Sequence, residues 1–168
     1  MKNYFRPIGI VLLSVVGITS FTHPFGKAKD VQPTRPLLQG AQIEAPVLNV
    51  LKRSCQNCHS EQTTWPWYSY VGPVSWLVER DVQEGRSHFN MSRWAEYGPD
   101  DRLQMLGGIS TMVRNGDMPL PQYVLLHPDA KLSQDEVKLL DQWGHEERKR
   151  LRTPANPPAQ SPANSPTQ

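Results

Sequence analysis

Cys55-Gln-Asn-Cys58-His59 constrains this 168-residue chain more than any other feature, because it uses both of the chain's cysteines and ends them on a histidine. Two residues between the cysteines set both sulfurs on one side of a helical turn, and the adjoining histidine can swing its ring toward a metal. This is the attachment pattern of c-type haem, in which the thiols form thioethers with the vinyl groups and the histidine becomes the proximal iron ligand. Two cysteines scattered over such a length fall three apart in roughly 1 % of arrangements, and a histidine then follows in about 3 % of those, so covalent haem c outweighs coincidence. Three other chemistries compete. A thioredoxin-like dithiol needs a βαβ setting, and no such alternation is visible. A structural zinc site needs four ligands, so His59 and a distant fourth donor would have to complete the single cysteine pair. A plain disulfide is the least specific alternative.

The N-terminus agrees with covalent haem attachment, which takes place on the outer side of the bacterial membrane. Lys2 and Arg6 precede an apolar stretch from Ile8 to Ile18, followed by Thr19, Ser20 and Thr22. That is the order of a signal peptide over residues 1–22. The cleavage site is not a clean A-x-A, and the apolar run over residues 5–21 nears the short limit of about 17 residues for a spanning helix. Cleaved leader and retained membrane tether both fit. Either way the expected location is the periplasmic side of the inner membrane, soluble or N-terminally anchored. The chain carries 18 Lys and Arg against 16 Asp and Glu, and without Lys2 and Arg6 the balance is 16 against 16. A near-neutral body gives no support for nucleic-acid binding.

Residues 23–42 are polar, interrupted by Pro33 and Pro36, and read as a linker. Residues 153–168 hold five prolines among Ala, Asn, Ser and Gln, and read as a disordered tail. The ordered domain is expected over residues 43–152. Pro46 suits a first helical position, and Val47, Val50, Leu51 and Ser54 repeat at helical spacing up to the cysteines. Pro73 opens a second helix in which Val74, Leu77, Val78 and Val82 share one face, with Gly85 near its end. Pro99, Asp100 and Asp101 start a third, carrying a stripe of Met105, Leu106, Ile109, Met112 and Val113 and stopping at Asn115-Gly116. Ser133-x-x-Glu136 is a capping box that opens a last helix, with Val137, Leu139, Leu140 and Trp143 inward and a basic end through Arg152. The fold class is all-α. A helix leading into C-x-x-C-H and a closing amphipathic helix resemble a class I cytochrome c, in which the first and last helices cross beside the haem.

A haem iron held by His59 has a sixth position to fill. Met118, on a loop after a helix and followed by Pro119, is the candidate axial ligand, because a thioether raises the reduction potential and suits electron transfer. Its competing role is ordinary gap-filling core, which suits Met105 and Met112 on their helical stripe better. His88 and His127 are the histidine competitors, each expected on the surface. Trp65-Pro66-Trp67-Tyr68-Ser69-Tyr70 is unusually aromatic for a loop. Trp65, Trp67 and Tyr68 are candidate walls of a porphyrin pocket, or else a hydrophobic plug for a small domain. Arg53, Arg80, Arg86 and Arg114 are candidate propionate partners.

Cys55-x-x-Cys58-His59-Ser60, Thr64-Trp65-Pro66-Trp67-Tyr68-Ser69, Gly72-Pro73-Val74-Ser75-Trp76-Leu77, Asp81-Val82-x-x-Gly85-Arg86, Met118-Pro119 and His127-Pro128 together resemble the bacterial haem-binding domain family. The resemblance runs from about residue 45 to residue 144, and W-P-W-Y-S is its most distinctive segment. It implies an exported, cytochrome-c-like domain in which Cys55 and Cys58 carry the haem and His59 ligates iron. Gly72 departs from the small residue expected at its position, and the tail after Thr153 lies outside the pattern.

The leading expectation is a monohaem c-type electron carrier rather than an enzyme, serving an unidentified redox partner protein. The alternatives are a haem-based sensor or peroxidase-like enzyme with a labile sixth ligand, and a non-haem C-x-x-C redox or zinc module. No distal acid–base pair is evident in the sequence, which counts against the enzyme.

Overall fold

The computed structural model describes residues 5–25 and 35–153, and the expected tail at 154–168 lies outside them. Among the described residues the protein is all-α, with no strand. Helix α1 spans Phe5–Phe21, α2 Ala45–Ser54, α3 Gln56–His59, α4 Val74–His88, α5 Pro99–Asn115, α6 Pro121–Leu126 and α7 Gln134–Arg152. Short 3₁₀ turns at Trp67–Tyr70, Met91–Glu96 and Pro128–Ala130 fill the intervals. Among the described residues no helix is long and apolar enough to cross a membrane; the apolar α1 has 17 residues.

Local chemistry sets most boundaries. Proline at the first turn opens α2, α5 and α6, where a missing N–H costs nothing. Gly116, at φ 76°, closes α5 in the left-handed conformation that glycine adopts without strain. Ser133 and Glu136 form the reciprocal cap of α7: Ser133 Oγ accepts from the Glu136 N–H at 3.2 Å, and Glu136 Oε2 accepts from the Ser133 N–H at 2.8 Å. The short α6 follows Pro121 and was not expected.

The core lies where α5 packs along α7 and α2 leans on α7. Val47, Val50 and Leu51 of α2 meet Leu106 and Val113 of α5 and Leu140 and Trp143 of α7, with Trp94 and Met91 beneath. Gly144 marks the α5–α7 crossing, where a Cβ would stand 2.7 Å from Ser110 Oγ and 3.3 Å from the Leu106 carbonyl oxygen. Arg53 reaches from α2 to Glu136 at the start of α7, 2.8 Å away.

The stretch expected as a linker contributes to this core. Leu38 is buried, takes a positive φ of 53° and donates its N–H to the Met91 carbonyl at 2.8 Å. Leu37 and Ala41 pack beside it. The Gln42 carbonyl accepts from Trp143 Nε1 at 2.9 Å, and the Gln42 N–H donates to the buried Glu147 at 3.3 Å. A turn rather than a periodic element brings these side chains inward, so no repeat in the sequence reports them.

Candidate functional site

Helix α2 delivers the cysteines. Its last turn ends at Cys55, whose N–H donates to the Leu51 carbonyl at 2.9 Å, and Cys55 breaks the helix at φ −126°. The chain restarts at once as α3, with the His59 N–H donating to the Cys55 carbonyl at 2.9 Å. Cys55 and Cys58 are free thiols on this turn. Burial pushes them up, Cys55 to about 12 and Cys58 to about 11, so both are protonated at neutral pH.

His59 is oriented from behind. Phe89, just past the end of α4, presents its carbonyl oxygen 3.0 Å from Nδ1. A carbonyl can only accept, so Nδ1 carries the hydrogen and Nε2 is the nitrogen left for a metal, the arrangement by which a ligating histidine is held. Burial lowers the pKa of His59 and favours the neutral ring that a metal requires.

Helix α4 lies directly against this turn at Gly85, where a Cβ would stand 2.8 Å from the Cys58 carbonyl oxygen. One residue on, Arg86 donates from Nε to the Ser60 carbonyl at 2.8 Å and from NH2 to Thr63 Oγ1 at 3.0 Å, fastening the loop that leaves His59.

Beside Cys58 opens a small cleft of about 80 Å³. Val74, Leu77 and Val78 form one wall, and Leu120 and Leu126 face it from the α6 region. The apolar stripe of α4 therefore lines the cleft. Val74 and Leu77 are 40 % and 39 % exposed, while Ser75, Glu79, Val82 and Gly85 are buried, Val82 on the same stripe and also lining the cleft. Trp65 and Tyr68 line the cleft. Trp67 is 78 % exposed and does not. Met118 is half-buried on the loop after α5; Leu120, two residues on, reaches the cleft and Met118 does not.

The polar rim of the cleft is a connected set that the sequence reading missed. Asn57 Nδ2 donates to the Tyr123 hydroxyl at 2.8 Å, and Asn57 Oδ1 accepts from the Thr64 N–H at 2.9 Å. The Tyr123 ring stacks on His127 at 4.3 Å between centroids. His127 Nδ1 donates to the Tyr123 carbonyl at 3.2 Å, so Nε2 accepts from the Tyr68 hydroxyl, also at 3.2 Å. His127, expected on the surface, is half-buried in the cleft wall, whereas His88 is exposed at the end of α4. The i, i+4 spacing of Tyr123 and His127 and the place of His127-Pro128 in the family resemblance are the signals the sequence offers.

Among the described residues no three of His, Cys, Asp and Glu converge as a metal site. A protein-only zinc centre therefore lacks its donor set there, whereas an iron already held by four porphyrin nitrogens needs only His59 and one further donor.

A family model described as a haem-binding domain matches residues 14–146, most of the chain. No curated protein and no solved structure matches it. Several features a haem would use are present: an apolar cleft, the free Cys58 thiol in its wall and a histidine whose Nδ1 is committed to a carbonyl, with Cys55 and His59 on the same turn but outside the cleft lining.

Proposed function

We propose that this chain, which belongs to the haem-binding domain family, is an exported monohaem c-type electron carrier resembling a class I cytochrome c. The observation that carries the reading is the C-x-x-C-H turn set beside an apolar cleft with His59 Nδ1 pinned to the Phe89 carbonyl. Bound there, a haem supplies a one-electron iron couple whose potential its axial ligands tune. Cys55 and Cys58 would hold the haem covalently, each thiol adding as S–H across one vinyl double bond. No oxidant or reductant is consumed. Their raised pKa values keep them as thiols at neutral pH and slow competing disulfide exchange. His59 would hold the iron through Nε2, and Val74, Leu77, Val78, Trp65 and Tyr68, which line the cleft, would keep water from the bound group. Met118, on the loop before Leu120, is the proposed further iron ligand.

One observation favours a second reading. His127 and Tyr68 form a hydrogen-bonded pair in the cleft, while Met118 stands outside its lining. That arrangement suits a sensor or peroxidase-like enzyme whose sixth site opens.

Expression with haem-maturation machinery should give red protein whose haem stays on the chain through denaturing electrophoresis, and Cys58→Ala should weaken that linkage. Haem that leaves the wild-type chain in the gel would end the covalent reading. The oxidised protein should show a weak near-infrared sulfur-to-iron band that Met118→Ala abolishes. Its absence from the wild type, with rapid carbon monoxide binding, would move the assignment to the second reading.

A further inference from the structure

The C-terminal end of α1 is built into the haem domain. Gly72, in the loop that enters α4, has Thr19 directly against it: a Cβ added there would fall 2.5 Å from the Thr19 carbonyl carbon and 2.6 Å from its Cβ. The Gly72 N–H donates to Ser20 Oγ at 2.9 Å. One turn into α4, Trp76 Nε1 donates to the Thr22 carbonyl at 2.8 Å. Another turn on, Glu79 is 0 % exposed, and His23 Nδ1 lies 2.9 and 3.1 Å from its two carboxylate oxygens. A buried carboxylate is costly unless it is paired, and His23 is a partner supplied by this segment. Four contacts, two at Gly72 and one each at Trp76 and Glu79 of α4, thus hold residues 19–23 as a strap.

The rest of α1 is not covered by the domain. Ile10, Leu12, Leu13, Ile18 and Phe21 are all exposed, and they point in different directions around the helix. A helix that is apolar on every side belongs in a nonpolar medium rather than in water or a one-sided protein groove. The family match begins at residue 14, inside α1, so residues 19–23 fall within the matched span and residues 5–13 precede it.

We propose that the chain is not cut between α1 and the haem domain: residues 19–23 are a permanent part of the domain, and α1 is held among the acyl chains of the bilayer. The inference deepens the reading of an exported carrier and rests on it for the compartment. The strap grips the N-terminal half of α4, whose Val74, Leu77 and Val78 wall the cleft, so the cleft would be kept at the membrane surface. An electron partner that is itself membrane-bound suits such a carrier better than one that diffuses.

The test uses the full chain, expressed with haem-maturation machinery and extracted in a mild detergent. Intact mass should account for α1 together with one haem, and a mature N-terminus at or after residue 20 overturns the proposal. Chymotrypsin should cut slowly at Phe21 and Phe25. Gly72→Ala, which forces Thr19 away, should speed those cuts roughly tenfold or more. Trp76→Phe, a milder change that removes only the indole N–H, should speed them less. Cutting at the wild-type rate in both variants overturns the strap. Mixed with vesicles of phosphatidylethanolamine and phosphatidylglycerol, the intact protein should float with the lipid; protein left in solution overturns the acyl-chain placement. A colourless protein with the same mass, protection and flotation would sink the haem reading and leave the strap standing.

Discussion

At the residue scale, Gly85 decides how close the haem-bearing turn can come to its supporting helix. Glycine inside a helix ordinarily costs about 1 kcal/mol relative to alanine, so Gly85→Ala should on propensity alone strengthen α4. The sign reverses because the new Cβ would meet backbone, 2.8 Å from the Cys58 carbonyl oxygen and 3.1 Å from its carbon, and backbone cannot rotate away as a side chain can. Overpacking of this kind costs about 1–3 kcal/mol, which cancels or exceeds the gain. Gly85→Ala should therefore lower the urea midpoint and, by shifting the C-x-x-C-H turn against Phe89, lower the ratio of haem absorbance to protein. A raised midpoint with an unchanged haem ratio would show that the turn moves freely. The sequence presents Gly85 as a glycine near a helix end and as part of the segment Asp81-Val82-x-x-Gly85-Arg86, with no sign of what it touches. Its role comes from α3 crossing α4, which no local pattern encodes.

At the element scale, helix ends were easier to read than helix faces. Prolines, the Ser133 cap and Gly116 act on neighbouring backbone groups, so α2, α5 and α7 begin or end where those residues stand. Faces depend on what lies opposite. The stripe Val74, Leu77 and Val78 has helical spacing whether it meets protein or a cofactor, and it lines the cleft. Elements also join through charge. Glu136, in the cap of α7, is held down to about 2, first by its hydrogen bond from Arg53 of α2 and then by the Ser133 N–H. A carboxyl with a depressed folded pKa contributes stability that is complete above its unfolded value near 4.5 and is lost as pH falls toward 2. The pair is partly exposed, so screening leaves about 1 kcal/mol. Glu136→Gln keeps a side chain able to serve the cap and removes the charge. The unfolding free energy from urea titration should fall by about 1 kcal/mol at pH 7, and the difference from wild type should vanish between pH 4.5 and 2. A difference that persists at pH 2 would assign the effect to the cap rather than to the ion pair.

At the scale of the whole molecule, the ordered body begins earlier than composition suggests. Residues 35–42 look like linker because they are polar around a proline and lack periodicity, yet they close the side of the core between α7 and the Met91–Glu96 turn. Leu38 is the plug, buried among core side chains and tied through its N–H to Met91. Holding a leucine at φ 53° is unfavourable, by about 1 kcal/mol or more, and the burial of its side chain offsets this. The two effects separate by substitution. Leu38→Ala retains the strained backbone and opens a cavity, and should cost about 2–4 kcal/mol in the full chain. Leu38→Gly opens the same cavity but relieves the φ strain, so it should be no worse than Leu38→Ala, against the usual order in which glycine is the more damaging. Urea unfolding of the two variants followed by far-ultraviolet circular dichroism measures both terms. A loss under about 0.5 kcal/mol for Leu38→Ala, the size expected of a surface site, would return residues 35–42 to the linker and start the domain at Ile43.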